Sequence, residues 1–149
     1  EPRSIVAGRL VAPGTSGGVT KLGLLASASG GLLIGCTAWL LSILVPVLPV
    51  GAGAGAAPSF IVLLVTGVIA GLVGSLADSW LGAVWQVMYR CSSCGRELEK
   101  NRHCDAEAVR VRGFGWMTND AVNAISSIVG GAAALGIYGL CLQLLSSSS

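Results

Sequence analysis

Charge is what this sequence has least of. Of its 149 residues only 11% are Asp, Glu, Lys or Arg, against about 25% in ordinary soluble domains. Mean hydropathy is +0.77. A chain this poor in charge cannot cover a water-facing surface, so a soluble globular domain is excluded. Between Lys21 and Asp78 there is no charged residue, and none follows Asp120. A hydrocarbon core of about 30 Å takes about 20 apolar helical residues to cross, and both stretches are long enough. The net charge of +2 is too small to point to nucleic acid. A disulfide framework is also missing: the five cysteines are an odd number. Cys36 and Cys141 fall inside apolar runs, where a thiol packs as a small hydrophobe. The loop holding the other three is expected in a reducing compartment. No n-region, h-region and cleavage site precede Glu1, so the chain reads as a fragment or a processed form.

What is present is an all-α integral membrane pattern. A polar, Gly-rich lead-in covers 1–22 and a first span 23–45, closed by Pro46 and Pro49. A small-residue hairpin follows at 46–58. The second span with its exit covers 59–88, a basic Cys/His loop 89–117, a third span 118–145, and a serine tail 146–149. The hairpin string Gly51-Ala52-Gly53-Ala54-Gly55-Ala56 formally fits a relaxed dinucleotide fingerprint, but it follows a membrane span rather than a strand, so the required context is absent. Arg3, Arg9 and Lys21 precede span one. Arg90, Arg96, Lys100, Arg102, Arg110 and Arg112 all lie between spans two and three. By the positive-inside rule these two segments share one side, the cytosol or an equivalent such as stroma. Each span carries a small-residue face: Gly23, Ser27, Gly31 and Gly35; Gly67, Gly71, Gly74 and Asp78; Asn123, Ser127, Gly130 and Ala134. Such faces let helices approach closely in lipid. On this reading Asp78 points into a bundle and away from lipid.

Four features can carry chemistry. Gly14-Thr15-Ser16-Gly17-Gly18-Val19-Thr20-Lys21 stands directly before a helix. Consecutive backbone N–H groups and a positive dipole end favour phosphate there, with Gly14, Thr15, Gly17 and Gly18 as cradle and Lys21 and Arg9 as cations. It is not a Walker A string, and the structural alternative is a turn with Thr20 capping the helix. Asp78, an ionisable residue at a span end, needs a partner, water or a metal; the alternative is pairing with an arginine of the next loop. At the start of span three, Asn119, Asp120 and Asn123 offer oxygen donors of the kind that hold Mg²⁺. The alternative there is Thr118 or Asn119 as N-cap, with Asp120 against the helix dipole. Finally, Cys91-x2-Cys94 with His103 and Cys104 forms a candidate structural Zn²⁺ site. The adjacency of His103 and Cys104 argues against both serving one ion, so Cys91, Cys94 and Cys104 lead the set. Free thiols in an exposed loop are the alternative.

The strings Pro13-Gly14-Thr15-Ser16-Gly17-Gly18-Val19-Thr20, Gly71-Leu72-Val73-Gly74-Ser75-Leu76-Ala77-Asp78-Ser79-Trp80-Leu81-Gly82-Ala83 and Asn119-Asp120-Ala121-Val122-Asn123 resemble the C-terminal half of the transmembrane protein 19 family. The Tyr89–Gly95 loop with His103 and Cys104 is similar to loops in some of its members. The resemblance implies three spans of a larger polytopic bundle, with further spans before them, in the endoplasmic reticulum or a plastid membrane. Its plant branch includes phytyl-phosphate kinases of tocopherol synthesis. That implies transfer of phosphate from a nucleoside triphosphate to an isoprenoid phosphate, with Asp78, Asn119, Asp120 and Asn123 as catalytic candidates and membrane lipid as partner. The rival expectation is a transporter or structural membrane protein, whose polar residues are caps and interhelical hydrogen bonds.

Overall fold

The computed structural model describes residues 1–44 and 59–147. Three helices carry the apolar sequence: α1 (Lys21–Leu44), α2 (Phe60–Val84) and α3 (Asn119–Ser146), of 24, 25 and 28 residues. At about 1.5 Å per residue each is longer than a hydrocarbon core is thick. All three are helices because a backbone in lipid must satisfy its own N–H and C=O groups. Ser146, expected as the first residue of the tail, is the last of α3. The hairpin at 46–58, residue 45 and the end of the tail at 148–149 lie outside the described residues.

The chain divides into two compact units, Glu1–Thr20 with Leu76–Ser127, and Lys21–Ser75 with Ile128–Ser149. The second is apolar and built on close helix approach. Gly31 and Gly35 are the buried residues of α1. A Cβ placed on Gly31 would overlap the Gly67 carbonyl oxygen, and one on Gly67 would overlap the Gly31 carbonyl. A Cβ on Gly35 would lie 2.6 Å from the Leu63 carbonyl, and one on Gly71 would lie 3.2 Å from that of Ser27. Gly31 and Gly35 of the first expected face thus meet the Gly67 and Gly71 end of the second, while Gly74 faces Gly130 of α3. Ser27 Oγ lies 3.0 Å from the Gly23 carbonyl, to which it can donate, and 2.8 Å from Ser75 Oγ, which satisfies a hydroxyl where water is scarce. Leu22, Leu33, Ile34, Ile61, Ile128 and Leu135 stay exposed, as lipid-facing side chains do.

The first unit is polar and mixed. In the lead-in, β1 (Arg3–Ser4) pairs antiparallel with β2 (Gly18–Val19). Between α2 and α3, where the sequence reading placed a loop, the chain forms a four-stranded antiparallel sheet. Its strands are β3 (Met88–Cys91), β4 (Glu97–Leu98), β5 (Arg102–His103) and β6 (Ala106–Arg112), in the order β4-β3-β6-β5. Two of these strands are only two residues long, below what a pattern of alternation can reveal. The apolar positions of β6, Val109 and Val111, are themselves exposed. The core of this unit lies at the helix ends, where Leu81, Met117 and Val122 are buried with Ala121 and Ile125 against them. Val87 N–H donates to the Met117 carbonyl at 2.9 Å and Phe114 N–H to that of Trp85 at 3.0 Å, clasping the two ends of the sheet segment together. Gly113, at φ 78°, lies so close to the Gln86 carbonyl that any Cβ would overlap it. Trp80 and Trp85 meet edge to face at 5.2 Å, and Phe114 stacks on Trp116 at 6.4 Å. All four rings are partly exposed, the usual aromatic belt at a membrane boundary. The lead-in and the sheet segment belong to one compact unit, which agrees with the shared side expected from the distribution of Lys and Arg.

Two glycine substitutions separate packing from propensity. Gly67→Val is expected to cost about 1–3 kcal/mol by overpacking and to lower the unfolding midpoint in detergent. Gly30→Ala, which meets nothing within 4 Å, is expected to leave the midpoint unchanged or raise it.

Candidate functional site

The glycine string of the lead-in is a tight turn seated on the C-terminal end of α2. Gly14 and Gly17 have φ of 82° and 83°, a region that glycine enters without cost. Gly17 lies directly against Ala83. Ser16 Oγ donates to Gln86 Oε1 at 2.5 Å and sits over Gly82, where a Cβ would be 2.7 Å from it. The turn also satisfies itself: Thr15 N–H and hydroxyl both donate to the Ala12 carbonyl, at 3.1 and 2.7 Å, and Gly18 N–H donates to that of Thr15 at 3.0 Å. That leaves the N–H groups of Gly14, Ser16 and Gly17 without a backbone partner among the described residues. Lys21 is exposed at the first position of α1.

Asp78 lies one turn before Gly82, and residues four apart share a helix face. The backbone positions of Asp78 and of Gly82, on which the turn rests, are therefore about 6 Å apart along α2. Asp78 Oδ1 accepts a hydrogen bond from Ser126 Oγ at 3.2 Å, and Ser126 Oγ also lies 3.1 Å from the Asn123 carbonyl. The partner of Asp78 is thus a buried serine on α3, whereas the sequence alternative was an arginine. Arg90 instead pairs with Glu97 at 2.7 Å, both exposed, and such pairs contribute little. Arg112 donates to the Ala83 carbonyl at 2.6 Å and to that of Gly82 at 3.3 Å, a cation on the negative end of α2.

Thr118, rather than Asn119, is the cap of α3: Ala121 N–H donates to its Oγ1 at 3.4 Å. Asp120 sits in the first turn. Asn119, Asp120 and Asn123 are exposed and make no side-chain hydrogen bond among the described residues. Beside Thr118 an open cleft of about 360 Å³ is lined by Val87, Tyr89, Glu99, Lys100, Asn101 and Arg102. Two basic side chains of the sheet segment therefore come to the N-terminal end of α3.

The cysteine and histidine side chains converge at the other end of the sheet. The ligand atoms of Cys91, Cys94, His103 and Cys104 all lie within 4.8 Å of one another, so this is a group that can hold a metal ion. Cys91 ends β3 and is buried, while Cys94 is exposed in the turn that leads to β4. His103 Nδ1 lies 3.4 Å from Cys94 Sγ and 3.1 Å from Cys104 Sγ. The adjacency of His103 and Cys104 was an argument against both reaching one point. The backbone answers it: Cys104 and Asp105 have φ of 53° and 54°, and this left-handed reversal turns neighbouring side chains to the same place. The Cys94 backbone N–H, and after it the His103 side chain, hold the Cys91 thiol down to about 6 from an ordinary 9.0. Cys104 moves the other way, raised first by desolvation of its sulfur within the cluster and then by Cys94.

Sequence reasoning missed Ser16, Gln86, Arg112 and Ser126 as partners. Each meets its partner across 29 or more positions of chain. Only Gln86, a polar residue amid an apolar exit, left a visible signal. Gln86→Ala is expected to free the turn at a cost of about 1–3 kcal/mol, seen as faster amide exchange at 14–18 with the helices unchanged.

The family model described as "Integral membrane protein DUF92" matches residues 1–131. Among curated proteins, "Protein PGR" of Arabidopsis thaliana is 30% identical over 129 residues, covering 87% of this chain and 42% of that protein. The chain thus spans less than half the length of this relative. No solved structure matches. Both findings agree with the resemblance to the transmembrane protein 19 family carried by the glycine turn, the Asp78 string and the Asn119–Asn123 string.

Proposed function

The chain belongs to the DUF92 family of integral membrane proteins, and on that footing we propose that its polar end takes part in phosphoryl transfer from a nucleoside triphosphate to an isoprenoid phosphate. The observation that carries this reading is the hydrogen bond between Asp78 and Ser126. The same Ser126 hydroxyl lies 3.1 Å from the Asn123 main-chain carbonyl, and Gly82, one turn along α2 from Asp78, carries the docked glycine turn. Asp78, Asp120 and Asn123 are oxygen donors suited to Mg²⁺, a hard cation that prefers carboxylates, amide oxygens and water. Bound there, the ion would neutralise charge on the transferring phosphate. Asn119 extends the donor set. Gly14, Thr15, Gly17 and Gly18 form the anion-facing turn, with Lys21 adjoining it along the chain. Lys100 and Arg102, in the cleft beside Thr118, are cations for a second phosphate. The isoprenoid tail would lie in the membrane, which explains why such chemistry needs a site at its boundary.

A structural reading has its own support. Ser16 and Gly17 are held against Gly82 and Ala83, and Thr15 and Gly18 use their N–H groups within the turn. On that reading the turn is a docking element and Asp78 an interhelical hydrogen-bond acceptor.

The full-length protein in detergent or liposomes, given a Mg²⁺–nucleoside triphosphate and a panel of isoprenyl monophosphates, is expected to yield the diphosphate. Asp78→Asn and Asp120→Asn are each expected to lower kcat by about 10²–10³-fold with an unchanged melting curve. No product across the panel overturns the enzyme reading. Variants that lose folding and activity together favour the structural one.

A further inference from the structure

The sheet segment poses a stability problem. From Ser92 to Arg110 no side chain is buried, and β4 and β5 are two residues each. Strands this short, with no apolar layer of their own, do not hold in water without a staple. The backbone is nevertheless tightly specified. Gly95 N–H donates to the Cys91 carbonyl and Cys91 N–H to that of Arg96, both at 2.9 Å. Gly95, Cys104 and Asp105 all take positive φ. Two of those three residues are not glycine, and holding them there costs energy.

What the two reversals achieve is the convergence of three sulfurs and one imidazole nitrogen. The five cysteines are free, and Cys91, Cys94 and Cys104 are the three gathered here. A tetrahedral Zn²⁺ with bonds of about 2.3 Å to sulfur and about 2.0 Å to nitrogen separates its ligand atoms by about 3.5–3.8 Å. The 3.1 and 3.4 Å between His103 Nδ1 and the sulfurs of Cys104 and Cys94, within a group spanning 4.8 Å, bracket that size. Thiolate-rich tetrahedral sets select Zn²⁺ over Mg²⁺ or Ca²⁺, which take oxygen.

We propose that Cys91 Sγ, Cys94 Sγ, Cys104 Sγ and His103 Nδ1 bind one Zn²⁺, and that this ion is the staple of the β4-β3-β6-β5 sheet. With four protein ligands the coordination is closed, so the ion is structural and offers no position to a substrate. It ties the turn after β3 to the β5–β6 reversal, pairing the two ends of a segment that has no core. Three thiolates and one Zn²⁺ leave a single net negative charge, in a segment that also carries Arg96, Lys100 and Arg102. The assignment is independent of the phosphoryl-transfer reading.

The test uses the full chain purified in detergent under reducing conditions, with Zn²⁺ as the probe. About one zinc per chain is expected, and X-ray absorption on this unmutated protein should show three sulfur and one nitrogen neighbours. Co²⁺ in place of Zn²⁺ should give the intense visible bands of tetrahedral thiolate coordination. Cys91→Ser with Cys94→Ser should bind less than about a tenth as much metal, with the helical circular dichroism retained. His103→Cys should keep the zinc and shift the absorption to four sulfurs. Less than about a tenth of an equivalent in the unmutated chain, an oxygen-dominated shell, iron in place of zinc, a Cys91–Cys94 disulfide, or zinc retained by the double serine variant would each overturn the assignment.

Discussion

At Gly31 and Gly67 two helix backbones meet with no side chain between them. In water such a contact would be a minor detail, because burial of apolar surface would drive helices together in any case. In lipid that drive is missing, since the tails are as apolar as leucine, and association rests on close van der Waals contact and a few hydrogen bonds. The glycines of α1 and α2 therefore do what a hydrophobic core does elsewhere. Ser27 and Ser75 add a polar bond at the same surface, and the large apolar side chains face outward in consequence.

At the polar end the physics reverts to that of a soluble protein. Helix ends expose carbonyl and N–H groups that need partners, and each receives one by name: Arg112 on the end of α2, Thr118 on the start of α3. The glycine turn is fixed by Ser16 on Gln86 and by the absence of a Cβ at Gly17 and Gly82. Leu81, Met117 and Val122 supply the small core that holds these pieces. Beyond them, from Ser92 to Arg110, no side chain is buried, and a different kind of bond is needed to order this part of the sheet. The Cys/His group stands where that need arises.

The chemistry at this end has a consistent logic. A carboxylate on α2 accepts a hydrogen bond from a hydroxyl on α3, Asp120 and Asn123 are exposed on the first turns of α3, and a cleft lined by Lys100, Arg102 and Glu99 lies beside Thr118. Phosphoryl transfer asks for little more than positioning and neutralised charge. On the proposed reading, a site at the membrane boundary would keep a charged headgroup in water while its apolar tail stays in lipid. The same closeness gives the structural reading its force, because caps and interhelical hydrogen bonds gather in the same place for reasons of stability alone.

Much of this was legible in the residues. The charge-free runs specified three spans, because burying charge in hydrocarbon is expensive enough to leave a mark over twenty positions. The four-residue spacing of Gly23, Ser27, Gly31 and Gly35 announced a packing face, and the location of Lys and Arg put two segments on one side. The cysteines with His103 were legible as a group that can hold a metal ion; Asp78, Asp120, Asn123 and the glycine turn were legible as candidates by residue type. Their partners were not. Ser126 for Asp78, Gln86 for Ser16 and Arg112 for the end of α2 join residues far apart in sequence, and no local period records such pairs. The sheet was hidden because β4 and β5 are two residues each and because Val109 and Val111 of β6 are exposed, with no core face to mark it. His103 and Cys104 were set against each other because adjacency ordinarily points side chains apart; only a left-handed backbone at Cys104 and Asp105 brings them together. Sequence alone determined which segments are long and apolar enough to enter the membrane and which polar residue types flank them, because hydropathy and charge act locally along the chain. Tertiary structure decided which atoms touch, because that depends on backbone reversals and helix contacts that bring distant residues within hydrogen-bond reach.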